Sequence, residues 1–507
     1  MRGIKKGILA AAILVILVTS ACSRSAGGSQ PWSLPTGESP AASGVHSTPS
    51  PSPAVFNRHT PGAPVRSPTP DAPHVLPTRI SAPQQYTVQA GDSLGMIAEH
   101  FSIPLDELTQ ANQLANPDHL EVGQVLTIPV TTPQAPGSDF KIIPDSELVY
   151  SPAAADFDVA AFLATQKGYI NTVTDAAEDT TMAAAQLVNW VAQDYSVNPR
   201  LLLAVVEYQS GWLTHSDPTS HDYPVGLIPG KAGLYKQLAW AADNLNRGYY
   251  LWRAGAIANW VLLDGSIIPI APTLNAGTAG VQFMFAQLMD KAHWEQAISA
   301  QGLSATYETF FGSPFDYALD PLLPANLSQP PMQLPFEPGV AWSFTGGPHG
   351  GWGSGSGWAA LDFGPPGDTY GCFSSDAWDV AVAAGVIVRS EKGRVVEAFN
   401  GSSMKDGGWT VLYMHVEDRD RVALGAQVKA GDHIGHPSCT GGVADATHLH
   451  LVRRYNGEWI PADGSLPFNL EGWISSGGGQ EYDGYLKRNA ETLEAFNGRE
   501  PQNQIQR

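Results

Sequence analysis

The sequence predicts a multidomain chain in which a small βααβ module, an all-α middle domain and a mostly antiparallel β domain follow one another. At 507 residues the chain is too long for a single compact core. Apolar residues recur with helical spacing through its middle, whereas the segment after about residue 335 is rich in Gly and alternates like strands. Stretches rich in Pro separate these regions, which indicates linkers between folded units.

The N-terminus has the features of an export signal. Basic residues precede an apolar run over residues 8–18, which is too short to cross a hydrocarbon layer of ~30 Å, and small residues come directly before Cys22. This order is typical of a lipoprotein signal peptide over residues 1–22, with Cys22 as the lipidated residue that holds the chain at a membrane. The alternative is an ordinary secretory signal in which Cys22 is incidental.

Two stretches are predicted to be linkers. Residues 23–84 are rich in Pro and Ser and have little apolar content to bury, so we expect a disordered, extended spacer. Residues 131–155 form a second, shorter linker that contains Pro and Gly. These two linkers would then separate the folded domains from the N-terminus and from one another.

The composition excludes one class of partner. The chain has 28 Lys and Arg residues against 48 Asp and Glu, a formal net charge of −20. Such a chain has no excess of cations to neutralise phosphates, so we expect no nucleic-acid partner.

Residues 85–130 have the pattern of a strand, two helices and a second strand. Tyr86-Thr-Val88 alternates like a strand, Ser93 is placed to cap a helix, and Val125-Leu-Thr-Ile128 is typical of a second strand. The whole segment resembles the LysM module, through Tyr86-Thr-Val, Gly91-Asp-Ser-Leu, Asn116-Pro-Asp and Gly123-Gln-x-Leu-x-Ile-Pro.

The LysM resemblance implies binding to glycan that contains N-acetylglucosamine. The groove of that family lies between the loop after the first strand and the loop before the second. The candidate glycan-binding residues are therefore Gly91, Asp92, Ser93, Leu94, Asn116, Pro117 and Asp118. A LysM fold without useful affinity for glycan is the alternative.

Residues 156–325 are predicted to form a helical domain. The segment faintly resembles lysozyme-like lytic transglycosylases, in Pro199-Arg-Leu-Leu-Leu-Ala and Leu274-Asn-Ala-Gly. The position of their catalytic Glu is Gln209, which has no proton to donate, and Glu207 is turned about 200° away on the helix. We therefore expect a module without a catalytic acid that holds glycan or spaces the domains, with a working glycosidase as the alternative.

The chemical signal of the C-terminal domain is a set of histidines. His448 and His450 flank Leu449 in a strand, so alternation puts both imidazoles on one face, and His415 ends another strand. Imidazole is the commonest metal ligand and a base near neutral pH. A His-x-His pair alone is a weak signal, because strand histidines are often structural.

The order of motifs over residues 335–475 resembles lysostaphin/LytM-type zinc endopeptidases. The matching blocks are Asp362-Phe, Trp378-Asp-Val-Ala-x-Ala-x-Gly-x-Ile, Tyr413-Met-His, Val428-Lys-Ala-Gly-Asp-x-Ile-Gly and Thr447-His-Leu-His. The resemblance implies Zn²⁺ as cofactor and peptidoglycan peptides as substrate. It further implies that Asp362 and His450 ligate the zinc, while His415 and His448 act as the catalytic base and the donor to the oxyanion.

The sequence departs from this family at the first zinc ligand. The matching position holds Trp358, whose indole nitrogen keeps its proton, and two ligands fall short of the three that catalytic zinc takes. We expect His349, beside a Gly-rich loop, to be the third ligand. The alternative is a surface role for His349 in a catalytically inactive, LytM-like regulator or wall-binding protein that activates another hydrolase. His433 and His436 are interpreted as bystanders.

Two of the three cysteines, Cys372 and Cys439, lie in the C-terminal domain. An even pair in an exported chain suggests a disulfide, which would tie the region of Asp362 to the His-x-His strand, with buried free thiols as the alternative. Residues 476–507 are predicted to be a tail that is poorly ordered at its end.

Overall fold

The computed structural model describes residues 83–129, apart from 102, 115 and 117–119, and residues 135–507, apart from 368 and 402. The predicted signal peptide with Cys22, almost all of the first linker, and the glycan-binding candidates Pro117 and Asp118 lie outside the described residues. Among the helices of the described part, none combines the length and the apolar character needed to cross a membrane.

The first folded unit has the predicted βααβ order. Strands β1 (Gln84–Thr87) and β2 (Val125–Ile128) pair antiparallel, with helices α1 (Leu94–His100) and α2 (Leu105–Ala111) between them in the chain. The Ser93 side chain accepts a hydrogen bond from the backbone N–H of Met96 and so caps α1. The small core draws on all parts of the unit: Val88, Leu94, Ile97, Leu108, Leu126 and Ile128.

The middle domain is built mainly from helices: α3 (Pro152–Ala155), α4 (Val159–Ala164), α5 (Ala184–Tyr195), α6 (Pro199–Ser210), α7 (Leu234–Arg253), α8 (Ala276–Ala286), α9 (Lys291–Ala297) and α10 (Leu303–Phe311). Asn198 caps α6, Pro199 occupies its first turn, and Gly211 ends it with a φ of +67°. The prediction of a linker over residues 131–155 is wrong for the described residues 135–155, because Ile142 and Ile143 are buried in the core of this domain and α3 lies within the range.

The domain is not all-α, and this part of the prediction is wrong. Two antiparallel hairpins interrupt the helices: β3 (Thr174–Ala177) with β4 (Thr180–Ala183), and β5 (Asn259–Val261) with β6 (Ile267–Pro269). Strand β4 lies directly before α5, because the β-branched residues Thr180 and Thr181 favour an extended chain.

The C-terminal domain is strand-rich. Its strands are β7 (Ala341–His349), β8 (Ala360–Gly364), β9 (Asp379–Val380), β10 (Gly385–Glu391), β11 (Arg394–Ala398), β12 (Trp409–Met414), β13 (Gln427–Val428), β14 (His433–Gly435), β15 (Leu449–Tyr455), β16 (Glu458–Trp459), β17 (Asn469–Leu470), β18 (Trp473–Gly477), β19 (Gly484–Arg488), β20 (Glu491–Glu494) and β21 (Gln504–Gln506). The main sheet is antiparallel, in the order β13-β10-β11-β12-β15-β8-β7-β21, with β16 on β15. Strand β9 pairs with β14, and β17 to β20 form a separate four-stranded sheet.

The predicted tail is folded, so the expectation of a poorly ordered end is wrong. Strands β19 and β20 extend the four-stranded sheet, and β21 pairs with β7 at the edge of the main sheet. Ile505 is 2% exposed and lies opposite Trp342. Asn503 donates hydrogen bonds to the carbonyls of Phe344, Phe496 and Gly498. A single apolar residue between two Gln side chains is too short a pattern to predict such a strand.

The two faces of the main sheet are covered differently. One set of strand residues, which includes Leu361, Val411 and Leu451, packs into a core within the C-terminal domain. The residues that alternate with them, which include Ala360, Leu412 and Val452, pack into the core of the helical domain. Since side chains alternate along a strand, Asp362 and His450 share the face toward the helical domain.

Candidate metal and catalytic site

The candidate ligands come from three neighbouring strands. Asp362 on β8 is paired with His450 on β15, and His349 is the last residue of β7, which pairs with the other edge of β8. Register shifts on both sides of Gly346 bring His349 opposite Ala360. Antiparallel pairing therefore gathers side chains that are distant in the sequence.

Three potential ligand atoms converge on one point. His349 Nε2 lies 3.2 Å from Asp362 Oδ1, and His450 Nδ1 lies 3.0 Å from the same oxygen. The two imidazole nitrogens are themselves 3.0 Å apart. A tetrahedral zinc ion with bonds of about 2.0–2.1 Å separates its ligands by about 3.3 Å. The spacing of the three atoms is thus close to what a zinc ion requires.

Backbone carbonyls orient both imidazoles. His349 Nδ1 lies 2.8 Å from the carbonyl oxygen of Gly347, and His450 Nε2 lies 3.2 Å from that of Gly351. When these nitrogens donate to the carbonyls, the other nitrogen of each ring presents a lone pair to Asp362. Three acceptors at this distance repel one another unless a cation lies among them. The donor set therefore fits a metal ion.

The electrostatics of the cluster favour the ligating forms of Asp362 and His450, whereas Asp362 draws His349 toward its protonated form. Burial alone would raise the pKa of the Asp362 carboxyl, but the imidazoles of His349 and His448 outweigh this effect and hold that pKa well below its usual value. Burial lowers the pKa of His450, so its ring favours the neutral state. For His349 the burial effect is outweighed by Asp362, which raises the imidazole pKa. An ionised carboxylate beside imidazoles is a typical zinc environment.

His415 and His448 lie next to this cluster. Their ring centroids are 4.5 Å apart, and His448 Nε2 is 3.8 Å from Asp362 Oδ1. The Nδ1 atoms of His415 and His448 lie 3.3 Å and 2.8 Å from the carbonyl oxygens of Thr440 and Ala446. Each Nε2 is therefore left for a substrate or a water. Burial lowers the pKa of His415 well below its usual value, which favours a neutral ring.

His433 and His436 have partners outside the cluster, and the indole of Trp358 lies in the interior of the protein. Trp358 is buried, with 7% of its surface exposed. His433 Nε2 is 2.9 Å from Glu337, and its ring stacks on Trp378. His436 Nδ1 is 2.8 Å from the Ala377 carbonyl, and its ring is tilted by 38° against Trp378. The structure therefore gives His433 and His436 local partners outside the cluster.

A disulfide joins Cys372 to Cys439, as the sequence suggested. The residues next to the bridge contact the catalytic candidates. Ser438, which precedes Cys439, donates hydrogen bonds from its N–H and its hydroxyl to the carbonyl oxygen of His415. On the other side, Thr447 exchanges hydrogen bonds with the backbone of Phe373. The bridge thus links backbone segments that flank His415 and His448.

Two residues at the site were missed by sequence reasoning. The Tyr482 ring stacks on His349 with centroids 4.1 Å apart, and burial raises the pKa of its hydroxyl, which stays protonated at neutral pH. Glu481 accepts the N–H of Gly350, the residue after His349. No motif marked either residue, because both lie in the segment that was assigned to a tail.

Among the candidate glycan-binding residues of the LysM-like unit, some side chains are exposed and others are used inside the fold. Gly91 has a φ of +96°, and Asp92 accepts hydrogen bonds from the Tyr86 hydroxyl at 2.8 Å and the Gln89 N–H at 2.7 Å. Leu94 is 3% exposed and packs in the core, so its side chain does not line a groove. Ser93 caps α1, and Asn116 is exposed.

Gln209 and Glu207, the two residues considered for the role of a glycosidase acid, both make hydrogen bonds within the helical domain. The Gln209 amide donates to the Val225 carbonyl at 2.7 Å. Glu207 accepts from the Leu213 N–H and the Thr214 hydroxyl, just beyond the end of α6. These contacts satisfy the carboxylate within the protein.

Comparisons with known proteins give matches over the described domains. A family model for the LasA N-terminal domain matches residues 141–326, and one for the LysM domain matches residues 86–129. Protease LasA of Pseudomonas aeruginosa strain UCBPP-PA14 is 25% identical over 343 residues, which cover 63% of this chain and 75% of that protein. The secreted LysM effector ECP6 of Passalora fulva is 49% identical over 49 residues, 10% of this chain and 22% of that protein.

Comparison with solved structures gives further matches, which cover smaller parts of this chain. The M23 metalloprotease pseudoalterin, described as from the deep sea, is 23% identical with a TM-score of 0.28, and the match covers 34% of this chain and 96% of that one. The catalytic domain of lysostaphin from Staphylococcus simulans is 25% identical with a TM-score of 0.18, over 25% of this chain and 89% of that one. The match to the LasA N-terminal domain over residues 141–326 covers most of the middle domain.

Proposed function

We propose that this chain, a relative of LasA and the M23 metallopeptidases that carries a LysM domain, is a zinc-dependent endopeptidase that hydrolyses peptide bonds in bacterial peptidoglycan. The observation that supports this most is the convergence of His349, Asp362 and His450, whose ligand atoms are 3.0–3.2 Å apart. Three protein ligands and an open position are the usual arrangement of catalytic zinc.

The residues around the cluster have the chemistry that peptide hydrolysis needs. A zinc ion held there supplies Lewis acidity for the scissile carbonyl and for the attacking water. Of His415 and His448, one accepts the proton of the water at Nε2 and the other donates a hydrogen bond to the developing oxyanion. The neutral state that burial favours for His415 suits the role of base.

The other parts of the chain serve localisation in this proposal. The LysM domain binds wall glycan and keeps the peptidase near its substrate, since a tethered second module raises avidity by roughly 10²–10⁴. Residues 1–22 direct export, and a lipid on Cys22 anchors the chain at a membrane. The linker at residues 23–84 then gives the folded domains reach toward the wall.

The test is metal analysis combined with digestion of isolated peptidoglycan by the full chain. We expect about one zinc per chain and new free amino groups in the released fragments, without new reducing sugar ends. His349→Ala removes a ligand and abolishes both results, whereas His433→Ala, a histidine paired with Glu337, leaves them unchanged. A chain that takes up no zinc and releases no amino groups would instead favour the inactive regulator that activates another hydrolase.

A further inference from the structure

We propose that Asp243, on helix α7 of the helical domain, is a positioning residue for the metal site of the C-terminal domain. It acts through the loop of residues 350–357, which we call the clamp loop and which leads from His349 toward β8. The inference rests on the proposed zinc peptidase function and adds to it a contribution from a different domain.

The clamp loop contacts one of the candidate ligands, His450. The Gly351 carbonyl is the acceptor for His450 Nε2, at 3.2 Å. This bond leaves Nδ1 of the same ring unprotonated and aimed at Asp362. The position of the Gly351 carbonyl therefore controls both the tautomer and the orientation of one ligand.

The clamp loop is attached to helix α7 by hydrogen bonds. Asp243 uses both carboxylate oxygens on the loop: Oδ1 accepts the Gly355 N–H at 2.8 Å, and Oδ2 accepts the Ser354 hydroxyl at 2.8 Å. One turn further along α7, Arg247 donates to the Ser354 hydroxyl at 3.0 Å. The tip of the loop is thus held by the helical domain, through hydrogen bonds to charged groups.

The sequence of the clamp loop allows this close contact. A Cβ atom on Gly355 would lie 1.9 Å from the Asp243 carbonyl oxygen, and Gly353 has a φ of +66° that favours glycine. Inside the loop, the Gly351 N–H donates to the Gly357 carbonyl at 3.1 Å, and the Trp352 N–H donates to Ser356 Oγ at 3.0 Å. These internal bonds connect the held tip to the Gly351 carbonyl.

The helical domain is itself held firmly against the sheet. Asp194 at the end of α5 accepts from Arg389 at 2.8 Å and from Arg394 at 2.9 Å, and all three side chains are at most 8% exposed. The Arg394 guanidinium also lies over the ring of Trp352 in the clamp loop, 4.8 Å from its centroid. Asp243 therefore holds the loop from a support that is fixed relative to β8 and β15.

The experiment measures zinc affinity of the full chain by competition with a chelator, together with the visible spectrum of the cobalt-substituted protein. Asp243→Ala is expected to weaken zinc binding about tenfold, the lower end of the range for outer ligand partners, and to alter the cobalt spectrum. Asp243→Asn retains an acceptor for the Gly355 N–H and should restore most of the affinity. Asp158→Ala is the matched control, because it removes a carboxylate that accepts a backbone N–H on α4 of the same domain.

The outcomes separate this inference from the proposed function. Wild-type affinity and an unchanged cobalt spectrum in Asp243→Ala would overturn the role of Asp243 and leave the zinc peptidase standing, and tighter zinc binding would overturn it as well. A wild-type chain that binds no zinc would overturn both. If Asp243→Ala does not fold, Ser354→Ala, which removes one of the two loop contacts, is expected to weaken zinc binding in the same direction by a smaller factor. Unchanged zinc affinity in that variant would contradict the inference.

Discussion

Asp362 and His450 are directly paired across β8 and β15, and the carboxylate oxygen of one lies 3.0 Å from the imidazole Nδ1 of the other. Because Asp362 carries the only carboxylate charge of the cluster, Asp362→Asn should weaken zinc binding by more than about 100-fold. Chelator competition measures this change. Asp432→Asn, in an exposed turn of the same domain, is the control and should bind zinc as the wild type does.

Replacement of His448 should separate metal binding from catalysis. Its Nε2 faces the cluster but lies 3.8 Å from Asp362 Oδ1, farther than the nitrogens of the two proposed imidazole ligands. We expect His448→Ala to lower kcat/KM on a peptidoglycan peptide by about 10²–10⁴-fold while zinc stays bound. His436→Ala, at a histidine whose Nδ1 lies 2.8 Å from the Ala377 carbonyl and not beside the cluster, should keep its activity. Loss of zinc from His448→Ala would assign His448 to the ligand set.

Removal of the disulfide should cost considerable stability. Cys372 and Cys439 are 67 residues apart in the chain, and a closed loop of that length restricts the unfolded state by about 4 kcal/mol in the chain-entropy account. The double variant Cys372→Ser/Cys439→Ser should therefore unfold at a markedly lower denaturant concentration. A reduced wild-type sample provides the comparison, and a midpoint equal to that of the oxidised protein would contradict the estimate.

The buried Glu397 should make stability fall as pH rises. Burial raises the pKa of this carboxyl from 4.5 to about 7, partly offset by the hydrogen bond from Tyr413. The folded protein therefore keeps a proton that the unfolded chain releases, and stability is lost between about pH 4.5 and 7, by up to about 3 kcal/mol.

Glu397→Gln should remove this part of the pH dependence and be more stable than the wild type at pH 8. Urea unfolding of both proteins at pH 5 and pH 8 measures the difference. Glu491→Gln, at an exposed strand position, should follow the wild type. If the free energy of unfolding changed with pH equally in the wild type and in Glu397→Gln, Glu397 would be ionised in the folded state.

The ion cluster between the domains should be costly to break. Asp194→Ala leaves Arg389 and Arg394 buried without this partner, and the loss of one member of a buried cluster typically costs about 3–5 kcal/mol. Asp156→Ala breaks a surface pair with Lys405 in which both side chains are 55% exposed, so about 1 kcal/mol or less is expected. Thermal unfolding of the two variants compares these costs. Equal decreases in Tm would contradict the larger contribution of the buried Asp194.

The sequence was most informative where local patterns carry the signal. The alternation around Leu449 predicted that His448 and His450 lie on one side of a strand, and the capping position of Ser93 predicted the start of α1. The position of His349 depends instead on the irregular pairing of β7 with β8, which no local pattern encodes. Tyr482 reaches the site through tertiary packing of a segment with weak periodicity, so it could not be predicted.

The alternation of the main sheet also limits how this protein can change over evolutionary time. Loops between its strands, other than the clamp loop, can lengthen or shorten without moving Asp362 and His450, because pairing of β8 with β15 sets the geometry of these two residues. An insertion of one residue between Ala360 and Asp362 would instead turn the carboxylate to the opposite side, among Leu361, Phe363 and Phe336. The candidate site therefore tolerates changes of length in loops that do not contact it, but not in the count of residues within β8 and β15.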